Sequence, residues 1–132
     1  MKKVSIKAIC AGVVIGLVGS TLASIVIAIV YGIPLDKIES GYSNSLYLIS
    51  DLFLSLVVVF LSGYATGKIG KDNPVINSII VGAIQLIILS SLHLKNPTMP
   101  GWYTVTMLML LLPAAYLGGK VASKKTDLTK LV

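Results

Sequence analysis

Arginine is absent from this chain; all 11 of its basic residues are lysine. Without a guanidinium there is no planar fork to grip a carboxylate or phosphate through two parallel hydrogen bonds. A nucleotide or nucleic-acid site is therefore not expected, despite a formal net charge of +6. Cysteine occurs once, at Cys10, so an internal disulfide is excluded. Histidine occurs once, at His93, and a metal site needs several ligands. The acids that could join His93 are Asp36, Glu39 and Asp51, and an interfacial histidine is the simpler reading. No phosphate-binding loop, metal motif or nucleophile elbow is present. Asn96-Pro97-Thr98 fails as a glycosylation acceptor because proline stands in the middle. Neither an enzyme nor a bound cofactor is expected.

Charge of both signs is scarce as well: 12% of residues are charged and 55% are hydrophobic. A soluble domain is about a quarter charged, so this chain has too few charges for a water-facing surface. The bilayer is the expected solvent. A spanning helix needs about 20 mostly apolar residues, and four stretches qualify: 8–31, 45–67, 75–94 and 102–121. Breakers separate them: Gly32-Ile33-Pro34, Gly41, Asp72-Asn73-Pro74, and the segment from Asn96 to Gly101. The expected fold is an all-α, four-helix membrane bundle, a single domain over 1–132 with a tail at 122–132. The first stretch begins like a secretory signal, with a small-residue site at Thr21-Leu22-Ala23. Its apolar run is longer than a signal core of about 7–15 residues, so an uncleaved first span is expected.

Lysines mark cytoplasmic loops. If four spans alternate, Lys2, Lys3, Lys7, Lys68, Lys71, Lys120, Lys124, Lys125 and Lys130 share one side, leaving Lys37 and Lys95 on the other. Both termini are then cytoplasmic, and the net charge is largely this bias. The aromatics agree. Tyr31, Tyr42, Tyr47, Trp102 and Tyr103 fall at outer ends, and Tyr64 and Tyr116 at inner ends, where amphipathic rings settle at headgroup level. A lysine-rich face also suits anionic headgroups.

Residues 60–71 read FLSGYATGKIGK, and 117–125 read LGGKVASKK. Glycines weaken helices, yet they cluster here where helices should finish. In lipid, close backbone approach over small residues holds helices together. The first span has such a stripe in steps of four: Ala8, Gly12, Gly16, Ser20, Ser24 and Ala28. The second offers Gly63 and Gly67, the third Ser78 and Gly82, and the fourth Ala114, Ala115, Gly118 and Gly119. Pro113 should bend the fourth span. Cys10 is read as a small packing residue.

Residues 61–68 align with 117–124 on the pattern L-small-G-x-x-small-small-K, and 12–16 align weakly with 78–82. Two helical hairpins related by duplication, as a parallel repeat, would give this; the common pairing of small residues with lysine at cytoplasmic helix ends would also give it. The endings resemble those of small four-span prokaryotic membrane proteins of uncharacterised function. The resemblance covers length, span count and residues 62–68 and 118–124, and implies a fold but no activity or site. Small multidrug-resistance exporters have similar size and span count. Their first helix carries an embedded glutamate, whereas 8–31 holds no acid, so the chain is not assigned to them.

Asp51 is the one acidic residue inside a predicted span. Such residues are costly, face protein or water, and often mark function. Ser55 and Ser62 share its face, and Gln85, Ser90 and Ser91 on the third span bracket a similar depth, so Asp51 and Gln85 form a candidate ion or proton site. The plainer reading is an aspartate that glues helices together. Two function classes follow. One is a structural or interaction protein of the cytoplasmic membrane, associating with itself or other membrane proteins through small-residue faces. The other is a small transporter or channel subunit in which Asp51 handles a proton or cation.

Overall fold

The computed structural model describes residues 4–37, 44–95 and 100–130. These form four α-helices and, among the described residues, no strand: α1 (Ile6–Val30), α2 (Ser45–Ile69), α3 (Pro74–Lys95) and α4 (Gly101–Lys130). Each holds a stretch long and apolar enough to cross a membrane.

The helix ends have local causes. Ser5 caps α1 by accepting the Ala8 N–H at 3.2 Å. The same helix stops at Gly32, whose φ of +67° suits a residue without Cβ. There Ile33 N–H reaches the Ala28 carbonyl at 2.8 Å and Gly32 N–H the Ile29 carbonyl at 3.0 Å. Asn44 caps α2 through its side chain, which accepts from the N–H groups of Leu46 and Tyr47. Pro74 opens α3, where its missing N–H costs no helical bond. The fourth helix runs through Pro113 and well past residue 121, so the segment expected as a tail is helical as far as Lys130. No glycine or proline follows Gly119 to stop it, and Ala122 is fully buried.

Neighbouring helices alternate in direction. Near one end, Ser5 N–H donates to Asn77 Oδ1 at 3.1 Å, and Asn77 Nδ2 donates to the Gly70 carbonyl at 3.3 Å. This one buried amide ties together the start of α1, the end of α2 and the start of α3. The last turns of α4 join the same end, with Ala122 against Gly67. Lys7, Lys68, Lys71, Lys120, Lys124 and Lys125 all lie at this lysine-rich end. At the opposite end Ala28, Tyr47, Leu48 and Tyr103 form a buried cluster, flanked by Ile27, Tyr31, Ile33 and Leu52. Helices α2 and α3 each pack against all three others, whereas α1 and α4 make no close backbone approach among the described residues.

The closest packing is between the parallel helices α2 and α4. A Cβ on Gly63 would overlap the Ala115 carbonyl oxygen, and one on Gly118 would overlap the Phe60 carbonyl oxygen. One turn on, a Cβ on Gly67 would lie 2.8 Å from Ala122 Cβ and 3.3 Å from Gly119 Cα. Gly119 also admits Ser78 of α3, and Gly82 faces Ala115 and Leu112. On α1, Gly12 faces Thr66 and Val81, and Gly16 faces Gln85 and Ser62. Ser20 is half-buried. Gly19, which lies off the stripe, packs on Val58.

The small residues are thus turned inward within one chain, and the outward faces carry Val14, Val18, Leu22, Val26, Phe53, Ile87 and Met109. Cys10 is exposed and does not pack inside as expected. It is two residues from Gly12, about 200° around a helix, and so lies almost opposite the packed stripe.

Candidate functional site: a buried polar seam along α2

Asp51, Ser55, Ser62 and Thr66 are all buried. Their spacings of four, seven and four keep them on one face of α2. Removed from water, such groups need hydrogen-bond partners; Asp51 and Ser62 find them on other helices and Thr66 on its own, and the bonds that join helices lie at three levels.

At the first level, Ser24 of α1 donates its hydroxyl to Asp51 Oδ1 at 2.9 Å, and Tyr103 of α4 donates to Oδ2 at 2.5 Å. The carboxyl group, 5% exposed, therefore joins α1, α2 and α4, including the two helices whose backbones stay apart. Neither partner is among the residues that the sequence places on its face or near its depth, Ser55 and Ser62 of α2 and Gln85, Ser90 and Ser91 of α3. Tyr103 and Tyr47, at the ends of their helices, both turn into the bundle and are buried. Tyr103 is the third residue of α4, and its ring fills the cluster beside Ala28 and Leu48 while its hydroxyl reaches inward. Tyr31 is only half-buried; its hydroxyl pairs with Ser50 Oγ at 2.9 Å, and its ring packs edge-on against Tyr47.

At the second level, Ser62 donates to the Gly12 carbonyl at 2.6 Å. A hydroxyl has one proton. The 3.1 Å contact between Ser62 Oγ and Gln85 must then be donated by Gln85 Nε2, which fixes the orientation of the amide. The other amide atom, Oε1, is buried without a hydrogen-bond partner. Gly16 makes this arrangement possible, since a Cβ there would overlap Gln85 Nε2. Thr66 donates to the Ser62 carbonyl at 2.7 Å, in the space left by Gly12. At the third level, Asn77 bridges as described above, and Ser78 Oγ lies 2.7 Å from the Gly63 carbonyl and 2.8 Å from that of Pro74, sharing one proton between them.

Asp51 and Gln85 are therefore members of separate clusters. Ser62, the partner of Gln85, stands eleven residues from Asp51, about 16 Å along α2. The polar groups lie in a line, but the aspartate and the amide do not form one site. Among the described residues no three of histidine, cysteine, aspartate and glutamate gather as metal ligands. Glu39 and the side chain of His93 lie outside the described set.

The Gln85 orphan gives a direct expectation. Gln85→Met keeps the volume and removes the unsatisfied acceptor, while Ser62 keeps its bond to Gly12. An unpaired buried acceptor costs about 1–3 kcal/mol, offset here by the lost amide bond to Ser62 at about 1 kcal/mol. The variant should be neutral or stabilised by about 1 kcal/mol in thermal unfolding of the detergent-solubilised protein. A loss of more than about 2 kcal/mol would show that Oε1 has a partner.

At the lysine-rich end a different arrangement appears on the outside. The ammonium groups of Lys68 and Lys125 lie 5.5 and 5.6 Å from the centre of the Tyr64 ring, and Lys120 lies 5.9 Å from that of Tyr116. No protein-family model, curated protein or solved structure matches this chain, so these geometries are the ground on which its function is read.

Proposed function

We propose that this is a small integral protein of the cytoplasmic membrane, with four spans and both termini cytoplasmic, whose role is structural or interactive rather than catalytic. The observation that carries the reading is at Asp51. Each of its carboxyl oxygens takes a hydroxyl from a different helix, so the one embedded acid is engaged in holding the bundle together. The orientation rests on the lysine split. Six of the nine lysines assigned to the cytoplasmic side, Lys7, Lys68, Lys71, Lys120, Lys124 and Lys125, share the end where α1 begins and α4 finishes.

The inward turn of the small-residue faces changes how partners would be met. Gly12, Gly16, Gly63, Gly67, Gly82, Gly118 and Gly119 are engaged within the chain. A second copy or another membrane protein would dock on the large apolar residues outside, such as those of α1, which among the described residues packs on α2 and α3 alone. The endings of α2 and α4, aligned in sequence, also meet each other as parallel helices at Gly63, Gly67, Gly118 and Gly119, as a duplicated hairpin would have them do. Among the described residues the contact between α2 and α3 has no counterpart between α1 and α4, so any such repeat is asymmetric.

A second reading, a transporter or channel subunit, draws on the line of buried polar groups and on the unpaired oxygen of Gln85. It requires a proton or cation flux that Asp51→Asn abolishes.

Topology is tested by placing single cysteines in a Cys10→Ser background. Cysteines at Leu35 and Trp102 should react with an impermeant reagent applied to intact cells. One at Lys124 should react only after permeabilisation. Labelling of position 124 in intact cells would overturn the orientation.

A further inference from the structure

Helix α1 is held in two different ways along its length. Towards its outer end Ser24 donates to Asp51, Ala28 lies in the cluster with Tyr47 and Leu48, and Tyr31 pairs with Ser50. The inner half, residues 6–18, has fewer ties. Its buried residues are Ala8, Gly12 and Gly16 alone, and its large apolar side chains are half-buried at most. Among the described residues two hydrogen bonds fasten this half to other helices, from the Ser5 N–H to Asn77 and from Ser62 to the Gly12 carbonyl. A Cβ on Gly12 or Gly16 would meet the ends of the Thr66 and Gln85 side chains, whereas Gly63 and Gly118 face backbone. Segments with few buried apolar contacts are the ones that open apart from the rest of a fold.

The two halves meet at Gly19-Ser20, a glycine–serine pair of the kind at which helices kink. Beside it the Thr21 hydroxyl donates to the Leu17 carbonyl at 2.9 Å, a back-bond that weakens and bends a helix. The amide of Gln85 is seated against Gly16, and its Oε1 has no hydrogen-bond partner among the described residues. That orphan disfavours the closed packing. Among the described residues α1 makes no close backbone approach to α4, so α2 and α3 alone hold it.

We infer that residues 6–18 form a gate, which swings away from α2 and α3 about Gly19-Ser20 and admits water from the lysine-rich end. Asn77 is the latch: its Oδ1 holds the Ser5 N–H while its Nδ2 is tied to the Gly70 carbonyl. Opening uncovers Ser62, Thr66 and Gln85, and water then donates to the Gln85 Oε1. The level of Asp51 stays closed, because Ser24 and Tyr103 keep their bonds to it. Opening therefore makes no continuous path through the bundle. The gate needs only the fold and holds for either orientation of the bundle in a membrane.

The test uses the full chain in detergent, with one thiol at a time in a Cys10→Ser background. Val81→Cys places the thiol beneath Gly12, and Val59→Cys places it in the core beside Leu111 and Ala115; both valines are buried. N-ethylmaleimide should modify position 81 faster than position 59 by a factor on the order of ten or more, since local opening is more frequent than global unfolding. Asn77→Ala should raise the rate at 81 by about fivefold, the equivalent of one hydrogen bond. Gln85→Met should lower it by a factor on the order of ten, because no orphan then favours opening. Equal rates at the two positions, or variants that shift both rates in proportion, would reduce the movement to unfolding and overturn the gate. The hinge is checked with spin labels at exposed sites, Val14 paired with Leu117 and Val26 with Val105. In Asn77→Ala the inner pair should gain a second, longer distance while the outer pair keeps one. A second distance in both pairs, or in neither, would contradict the hinge.

Discussion

Gly118→Leu should prevent the bundle from forming, and Gly118→Ala should already destabilise it by about 3 kcal/mol or more, at or above the top of the usual range for overpacking. The reason is what the new Cβ meets. At Gly118 it would overlap the Phe60 carbonyl oxygen and approach the Tyr64 backbone nitrogen, so neither neighbour can turn aside. Relief requires separating α2 from α4, which would also loosen Gly63 from Ala115 and Gly67 from Ala122. Gly16→Ala is the informative contrast. Its Cβ would meet the end of the Gln85 side chain, which can rotate away at the cost of one hydrogen bond, about 1 kcal/mol. The measurement is unfolding of the purified variants in a single detergent. Equal losses at Gly118 and Gly16 would show that small volume, rather than backbone contact, is what these positions supply.

Asp51→Leu should be the most damaging change that introduces no steric clash. It removes the carboxylate to which both Tyr103 and Ser24 donate. At about 1.5–3 kcal/mol for each hydrogen bond to a charged group, a loss of about 3–5 kcal/mol is expected. Asp51→Asn should cost far less. The amide oxygen can still accept from Tyr103, and the amide nitrogen can donate to Ser24, whose hydroxyl reverses its role. Tyr103→Phe should fall between them, with about 1–3 kcal/mol lost through the single bond it removes. Unfolding of the three variants would check this order. An Asn variant as unstable as the Leu variant would mean that the carboxyl group itself, and not the pair of hydrogen bonds, is required.

Much of the architecture is legible in the sequence because it depends on composition. Four long apolar stretches, their breakers and the scarcity of charge follow from the residues alone, and the four helices lie where these features place them. The partners of the polar groups are less legible. A face of α2 bearing Asp51, Ser55, Ser62 and Thr66 can be read from spacing, but which helices meet it depends on how the bundle is wound. Tyr103 shows the difficulty. A tyrosine near a helix end has the same sequence signature whether its ring lies among headgroups or turns into the core, and here the cluster of Ala28, Tyr47 and Leu48 takes it inward. The role of Asn77 is illegible for a related reason: it comes from three chain segments meeting at one end. One signal was available, because an embedded acid needs donors and Tyr103 is a long hydroxyl on an adjoining span. The full length of α4 is not legible in hydropathy, which marks where a helix leaves an apolar medium and not where it ends.

The account turns on whether the buried polar groups serve as locks or as a route through the bundle. Flux through proteoliposomes decides this most directly, with wild type and Asp51→Asn reconstituted at equal density and an imposed proton, sodium or potassium gradient. The account predicts that both proteins insert and assemble and that neither passes the ion above the rate of empty vesicles. A gradient-driven flux in the wild type that disappears in Asp51→Asn, with insertion and assembly unchanged, would contradict it.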